Sequence, residues 1–226
     1  MKRVVLSLVL SLVFSGAFAA GQFGTAQYPI RMEDGDEVTN FALSAELNAA
    51  LGKLTGQVPV GNLNGDVTVY QFYDLNCPYC REAAADVDDL IKADKKLKLV
   101  FVPYAVLSVQ SVQGALIEIG ASKVATPEQF FDFHRRIYMA RGTIDGPKTL
   151  QAAKEAGLDA NKVAALGNTQ DGLDTLRANA DFGSKAKLMA TPAYVINGVA
   201  ILGHPGLKTL QKIVAAVRAC GKVVCV

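Results

Sequence analysis

The sequence predicts an α/β fold in which a βαβ unit and a ββα unit are separated by an all-helical insertion. An apolar segment rich in β-branched and aromatic residues, Val67 to Tyr73, runs into a helical pattern and then into a second strand. Residues 108–188 carry only helical patterns, interrupted by Gly and Pro. Two short apolar runs then flank Asn197-Gly198, a dipeptide typical of tight hairpin turns, and an amphipathic helix follows.

Residues 1–19 have the features of a secretory signal peptide. Two basic residues precede an apolar stretch from Val4 to Phe14, which is shorter than the roughly 20 residues needed to span a bilayer. Ala17-Phe18-Ala19 is a cleavage site of the small-x-small type. We therefore expect cleavage near Ala20, rather than an uncleaved membrane anchor, and export to the periplasm, where disulfides persist.

Composition narrows the class of protein. The chain has 226 residues, of which 50% are hydrophobic, and a formal net charge of only +2. Its length suits one large domain or one domain with an insertion. Because no basic or acidic block stands out, nucleic acid and membrane surfaces are poor candidates as partners.

The chain divides into an N-terminal arm and three structured parts. Residues 20–57 read as an irregular arm followed by an amphipathic helix over 38–54, which either packs on the domain or contacts another subunit. Residues 58–107 form the first part of the α/β domain. They hold a short run at Val58-Pro59-Val60, the Val67 to Tyr73 strand, a helix from Cys77 to Asp94 and a strand from Leu97 to Tyr104.

The second half of the chain holds the helical insertion, the rest of the α/β domain and a tail. Residues 108–188 are the helical insertion, and residues 189–219 are the second part of the α/β domain, with a hairpin and a last helix from Leu207. Residues 220–226 form a C-terminal tail. The helices of the insertion are predicted at Val109–Ile119, Pro127–Arg141, Pro147–Ala156, Asn161–Leu166 and Gln170–Leu188.

The motif Cys77-Pro78-Tyr79-Cys80 lies where the strand passes into the helix. Two sulfurs at this spacing can close a disulfide across one turn. The unpaired N–H groups and the positive end of the helix dipole favour a thiolate at Cys77. Cys80, one turn further on, should be buried and less acidic. The pattern predicts thiol-disulfide exchange, in which Cys77 forms the mixed disulfide and Cys80 resolves it.

The alternatives for this dithiol are a structural disulfide or half of a zinc site. The remaining cysteines, Cys220 and Cys225, are expected to form a local structural disulfide in the tail, since free thiols oxidise in an oxidising compartment. We expect no metal site and no cofactor other than the redox-active disulfide. His134 and His204 are isolated in the sequence, so surface or loop roles are expected for both.

Asp74 lies just upstream of the dithiol. It is a possible buried proton acceptor for Cys80, and the alternative is a solvated or hydrogen-bonded carboxylate at the end of a strand. An aromatic group in the insertion is most simply core, or else it lines a client groove near the dithiol. Its members are Phe130, Phe131, Phe133, Tyr138 and Met139.

In combination, these motifs resemble the DsbA-type thiol-disulfide oxidoreductases of the bacterial cell envelope, in the thioredoxin superfamily. The resemblance rests on Phe72-Tyr73-Asp74, Cys77-Pro78-Tyr79-Cys80, Thr191-Pro192-Ala193 and Asn197-Gly198 and covers roughly residues 58–219. It implies a thioredoxin-like fold with an all-helical insertion. It also implies that Pro192 is a cis-proline facing the dithiol.

The resemblance further implies which residues and partners take part. Thr191, Pro78 and Tyr79 are the expected substrate-binding residues, and the partners are exported proteins that contain cysteines, with a membrane-bound protein that re-oxidises or reduces the dithiol. The best-studied oxidases of the family have His where this chain has Tyr79, and Thr191 looks more like the isomerase and reductase branch. We therefore expect a less oxidising protein than a His-containing relative.

The sequence thus predicts an exported disulfide oxidoreductase that acts on protein thiols, foremost as a dithiol oxidase. The alternative within enzymes is a disulfide isomerase or reductase, which usually needs oligomerisation. The helix over 38–54 could supply that contact, although the sequence does not give the oligomeric state. A third reading, from another class, is a periplasmic copper-binding chaperone that uses Cys77 and Cys80 as soft ligands.

Overall fold

The computed structural model describes residues 26–225, so the predicted signal peptide lies outside the described residues. The strands are β1 (Asn40–Ala42), β2 (Val58–Gly61), β3 (Val67–Tyr73), β4 (Leu97–Pro103), β5 (Ala193–Ile196) and β6 (Val199–Leu202). The helices are α1 (Ala45–Leu51), α2 (Pro78–Ala93), α3 (Val109–Ser122), α4 (Pro127–Met139), α5 (Gly146–Glu155), α6 (Ala160–Gly167), α7 (Gln170–Lys185) and α8 (Leu207–Cys220).

The six strands form one mixed sheet in the order β1-β6-β5-β3-β4-β2. Strands β3 and β4 are parallel and are joined by α2, whereas every other pair is antiparallel. The turn between β5 and β6 is Asn197-Gly198, and both residues have the positive φ that a two-residue hairpin turn of this kind requires. The predicted α/β class with a βαβ unit, a helical insertion and a ββα unit is confirmed.

The insertion consists of α3 to α7, and its helices begin and end within a few residues of the predicted positions. Helices α3 and α6 pack closely, and the absence of a side chain at Gly120 on α3 allows this close approach. A Cβ atom at Gly120 would lie 2.0 Å from the carbonyl oxygen of Val163. The close approach of the two backbones therefore depends on a residue without a side chain.

The prediction of one helix over 38–54 is wrong. Residues Asn40–Ala42 instead extend the sheet as β1, paired with β6, and only Ala45–Leu51 is helical. The amide of Asn40 bonds the backbone of Tyr28 and Val38 and holds the chain extended, and Ser44 caps the helix that follows. Hydrogen bonds to a distant strand override the local helical spacing, and this segment packs on its own domain.

The sheet has a hydrophobic core on each face. Tyr73, at the end of β3, belongs to the face covered by α2, α4 and α8, and this cluster includes both Cys77 and Cys80. Phe72 points to the other face, where its ring stacks on Phe182 of α7 at a centroid distance of 5.5 Å. The dithiol is therefore anchored in the larger core. Within residues 26–225, no helix has the length and apolar character needed to cross a bilayer.

Candidate active site

The sequence places Cys77 at the start of α2 for a local reason. Strand β3 ends at Tyr73, and Cys77 is the residue immediately before the helix, in an extended conformation with φ −75° and ψ 122°. Pro78 is the first helical residue, where its missing N–H leaves no hydrogen bond unmade. The first-turn N–H groups of α2 are thereby directed at the Cys77 sulfur.

The two sulfurs differ in environment. Both are free thiols in the structure. Cys77 is the more exposed, as expected, yet only 4% of its surface is accessible, against 1% for Cys80. The Cys77 thiol donates a hydrogen bond to the carbonyl oxygen of Thr191 over 3.0 Å. The Thr191-Pro192 peptide bond is cis, and the Thr191 carbonyl faces the Cys77 sulfur.

Their pKa values move in opposite directions. The pKa of Cys77 falls to about 6, chiefly because Cys80 donates a hydrogen bond to its thiolate. Thr191 and the backbone N–H groups of Tyr79 and Cys80 add further hydrogen bonds, and together they outweigh the effect of burial. Burial raises the pKa of Cys80 far above its ordinary value. At neutral pH, Cys77 is thus a thiolate and Cys80 a thiol.

Asp74 is a structural carboxylate. It is buried, and its Oδ1 accepts hydrogen bonds from the Asn76 N–H and the Ser111 hydroxyl, at 2.8 and 2.6 Å. Its Oδ2 accepts from the N–H groups of Val106 and Leu107, both at 2.9 Å. Both oxygens are engaged in holding loops, so the observed environment of Asp74 gives no support to a role as proton acceptor for Cys80. It matches the hydrogen-bonded alternative.

Asn76 is a positioning residue that the sequence interpretation missed. Its side chain forms a two-way hydrogen bond with the backbone of Ile144, at 2.8 Å to the carbonyl and 2.7 Å from the N–H. It also donates to Ser111. The residue directly before Cys77 therefore ties the dithiol loop to the helical insertion. The signal in the sequence that could have indicated this role is a polar residue between a buried strand and the first cysteine.

Arg81 ties α2 to the end of α4. Its guanidinium donates to the carbonyl oxygens of Tyr138 and Ala140 and lies 5.9 Å from the Tyr138 ring centroid. Arg81 also lines a groove of about 720 Å³ beside the dithiol, together with Pro78 and Leu107. The position of Arg81 directly after the Cys77-to-Cys80 motif does not predict these contacts.

Several large apolar side chains are exposed near the dithiol. Tyr79, expected to bind substrate, is 64% exposed. Four more exposed apolar side chains lie on the segments that adjoin Asp74 and Thr191, namely Val106, Leu107, Val109 and Met189. An exposed apolar surface of this kind around a reactive group is typical of a site that binds another polypeptide.

The expectation of a surface or loop role is wrong for His134, whereas His204 lies, as expected, in the loop between β6 and α8. His134 is buried, and its Nδ1 lies 2.8 Å from the carboxylate of Glu118. His204 is mostly covered and bridges the Tyr194 hydroxyl and the Asp86 carboxylate, at 2.9 and 2.8 Å. Their partners lie on other elements, so their isolation in the sequence carried no information about burial.

The aromatic group of α4 belongs to the core, which is the simpler of the two predictions, except for one member. Phe130, Phe133 and Tyr138 are buried in the main core, and Phe131 packs against it. Met139, by contrast, is 77% exposed. This part of the insertion therefore covers the sheet next to the dithiol.

The other two cysteines are joined at the end of α8. Cys220 and Cys225 form a disulfide across the C-terminal turn. This leaves Cys77 and Cys80 as the only free thiols of the chain. Between residues 26 and 225, no group of three or more His, Cys, Asp or Glu side chains lies close enough to hold a metal ion. The copper-binding alternative, which would use Cys77 and Cys80 alone, is not supported.

Comparisons with known proteins agree with this geometry. A family model described as thioredoxin matches residues 53–216. A thioredoxin-like oxidoreductase from Silicibacter pomeroyi DSS-3 is 27% identical, with a TM-score of 0.68, over 75% of this chain and 96% of that chain. No match was found among curated proteins.

Two further solved structures share the fold at lower identity. The thiol-disulfide exchange protein alpha-DsbA2 from Wolbachia pipientis is 21% identical, with a TM-score of 0.66, over 78% of this chain and 100% of that chain. BdbD from Bacillus subtilis is 21% identical, with a TM-score of 0.62, over 72% of this chain and 92% of that chain. With a dithiol at the start of α2, the chain belongs to the thioredoxin family and is homologous to its thiol-disulfide oxidoreductases.

Proposed function

We propose that this protein exchanges the Cys77-Cys80 disulfide with cysteines of client proteins, acting as a dithiol oxidase in oxidative folding. The observation that carries the proposal is the unequal pair of sulfurs at the start of α2. Cys77 has a lowered pKa and contacts Thr191, and Cys80 is a buried thiol one turn away. This arrangement suits one sulfur that attacks and is attacked, and a second that resolves.

The reaction follows from these roles. A client thiolate attacks Cys77 Sγ of the oxidised protein, the Cys77-Cys80 bond breaks, and Cys80 leaves with the electron pair and takes up a proton. A second client thiolate then attacks the client sulfur of the mixed disulfide, and Cys77 leaves as a thiolate. The client gains a disulfide, and the protein is left as a dithiol.

The oxidase direction rests on the stability of the leaving group. A thiolate that the protein stabilises makes the reduced form more favourable, and therefore makes the disulfide more oxidising. The pKa of about 6 for Cys77 supports that direction. It lies between the values of about 3.5 and 7 found at the strongly oxidising and the reducing ends of the superfamily. An intermediate oxidant is consistent with Tyr79 in the place of a histidine.

The groove and the exposed apolar side chains support a polypeptide client. The groove of about 720 Å³ opens beside Pro78, and the ring of Tyr79 stands out from the surface next to Cys77. The backbone at Thr191 reaches the reactive sulfur and is available for pairing with an extended client strand. A partly unfolded protein with exposed cysteines and apolar residues fits this surface.

The signal-peptide features of residues 1–19 support export to the periplasm, an oxidising compartment. A structural relative from Salmonella enterica serovar Typhimurium is described as a periplasmic thioredoxin-like protein. Since each cycle of client oxidation leaves Cys77 and Cys80 reduced, the function requires a partner that re-oxidises them. We propose a membrane-bound protein for that step.

Two assays test the function. The purified oxidised protein is incubated with a reduced, unfolded client, and the reduced protein is incubated with a client whose disulfides are scrambled. We expect rapid formation of client disulfides in the first assay and little rearrangement in the second. The reverse result would favour the isomerase or reductase alternative.

Variants identify the sulfur responsible. Cys77→Ser should abolish exchange, whereas Cys80→Ser should accumulate a client mixed disulfide at Cys77. The double variant Cys220→Ser with Cys225→Ser removes the other disulfide of the chain and should leave the rate unchanged, because that disulfide lies in the C-terminal tail. Equal rates for wild type and Cys77→Ser would overturn the proposal.

A further inference from the structure

Cys80 needs a partner for its proton. It must lose the proton to attack a mixed disulfide at Cys77 and must regain one when it leaves. Its thiol is almost completely buried, so bulk water does not reach it freely. The nearest candidate in the sequence, Asp74, has hydrogen bonds at both carboxylate oxygens. Another group must therefore carry the proton to and from Cys80.

A small cavity, lined by both polar and apolar side chains, adjoins Cys80. Its volume is about 10 Å³, and Cys80, Gln71, His134 and Tyr138 are among the residues that line it. This volume is near the lower limit for one water molecule. The Oε1 atom of Gln71 is buried and has no hydrogen-bond partner in the described part of the chain. A buried acceptor without a partner, on a residue that lines a space of this size, favours a bound water.

The position of His134 is fixed by two neighbours. Its Nδ1 lies 2.8 Å from Oε1 of Glu118, which is itself completely buried. The Tyr73 hydroxyl donates to the other carboxylate oxygen of Glu118 over 3.0 Å. A carboxylate accepts at Nδ1, so the neutral ring carries its proton there and leaves Nε2 as an acceptor. The Phe101 ring packs on the imidazole at a centroid distance of 4.1 Å.

The titratable groups around His134 come from four elements. Glu118 is on α3, Tyr73 on β3 and Cys80 on α2, while Tyr138 is on its own helix, one turn away. Farther along the cavity, Arg135 pairs with Asp88 of α2, which also binds Lys92. His134 is thus the one imidazole that shares the cavity with Cys80.

We propose that His134, oriented by Glu118, carries the proton to and from Cys80 Sγ through one water molecule held in this cavity. Glu118 is a positioning residue in this scheme, and Gln71 Oε1 holds the water. The inference rests on the proposed function and assigns the acid-base group of that same site. It holds for either direction of electron flow.

The proton balance is the same in both directions. In resolution, the Cys80 thiol gives its proton through the water to His134 Nε2, and the resulting thiolate attacks Cys77 Sγ. The client sulfur leaves with the electron pair of the broken bond, and the imidazolium later releases its proton to solvent. When a client thiolate attacks the disulfide instead, Cys80 leaves and the imidazolium supplies its proton. No other oxidant or reductant is required.

A rapid-mixing experiment separates the two sulfurs. The reduced protein is mixed with a nitrobenzoate disulfide reagent whose released thiolate is coloured. The first phase of colour reports attack by Cys77, and the second reports resolution by Cys80. For His134→Asn we expect an unchanged first phase and a second phase slowed on the order of a hundredfold near neutral pH.

The pH profile distinguishes proton transfer from structural damage. With His134→Asn, the second phase should recover toward the wild-type rate as the pH rises, because the rising hydroxide concentration offsets the restricted access of solvent to Cys80. Glu118→Gln should slow the same phase less, with the same recovery, and carries the test if His134→Asn does not fold. His204→Asn is the matched control, since it removes a histidine that pairs with the α2 carboxylate of Asp86 but does not line the cavity.

Two results would overturn the inference: a second phase in both variants as fast as in wild type, or a slowing by the same factor at every pH. Because the reagent is a small molecule, these results concern His134 alone. Failure of the client assays with a normal second phase would instead remove the proposed function and leave the role of His134 standing.

Discussion

The thiol of Cys77 lies 3.0 Å from the carbonyl oxygen of Thr191, although 114 positions separate the two residues in the chain. The contact exists because β3 and β5 are neighbours in the sheet, with Phe72 opposite Ala193. The start of α2 and the start of β5 are thereby brought to one edge of the sheet. The reactive sulfur and the backbone proposed to pair with a client strand are thus placed together by strand order.

The reduction potential should be intermediate. We expect a value between about −270 and −120 mV, the reducing and oxidising ends of the superfamily, because the Cys77 thiolate is stabilised only in part. Equilibration with glutathione, followed by separation of the dithiol and disulfide forms, measures it. Tyr79→His should make the protein more oxidising by adding a group that can carry positive charge beside the thiolate.

Tyr79→Phe is the control for that substitution. It keeps an exposed aromatic ring without a titratable nitrogen and should leave the potential unchanged. If the two variants shift the potential equally, charge at this position does not set the redox poise.

Asp74 should matter for stability. Asp74→Asn replaces one acceptor oxygen by an amide that cannot accept from the N–H groups of Val106 and Leu107. Leaving buried donors without acceptors should lower the free energy of unfolding by about 2–4 kcal/mol. Denaturant unfolding measures the loss. Asp89→Asn, on the exposed side of α2, is the matched control and should change stability little; equal losses would contradict this role.

Gly120 should be intolerant of a side chain. Gly120→Ala places a methyl group 2.0 Å from the backbone of α6, so α3 and α6 must move apart. Overpacking of this kind costs about 1–3 kcal/mol, and backbone contact places the effect at the upper end. Gly52→Ala is the control, because nothing lies within 4 Å of its Cβ position and its φ is −67°. Thermal unfolding of both variants tests this prediction. Equal midpoint temperatures for Gly120→Ala and Gly52→Ala would contradict the packing argument.

The stability of the reduced protein should depend on pH through Cys77. Its folded pKa of about 6 lies below the value of about 8.5 for an unfolded cysteine. The unfolded state therefore binds more protons between these values, and the free energy of unfolding rises with pH across that window. The contribution is complete above about pH 8.5 and is lost as the pH falls through about 6.

Denaturant unfolding of the reduced protein at a series of pH values checks this dependence. Cys77→Ser should remove the rise. Cys80, whose pKa is raised chiefly by burial, acts in the opposite sense only above the ordinary cysteine value of about 8.5, outside this window. The same slope in both proteins would show that Cys77 is not the source.

Local patterns in the sequence were sufficient for the parts of the fold that depend on neighbours in the chain. The strand β3, the hairpin at Asn197-Gly198 and the dithiol at the start of α2 each rest on a contiguous signal. The segment 38–54 was predicted wrongly because its outcome depends on pairing with β6. Local helical spacing carries no information about a free strand edge.

The polar groups of the site show the same limit. Three of the four partners of the Asp74 carboxylate lie 32 to 37 positions away, in the loop and helix that follow β4. Glu118 and His134 meet across two helices of the insertion. Neither pairing follows from spacing along the chain, because each depends on how the helices of the insertion pack over the sheet.

The central claim is that Cys77 is a thiolate at neutral pH and Cys80 is not. The most direct test follows the rate of alkylation of the reduced protein as a function of pH, with mass analysis to identify the modified cysteine. We expect modification at Cys77 alone, with a midpoint near pH 6. A midpoint near the value of about 8.5 for an ordinary cysteine, or equal modification of Cys80, would contradict the account.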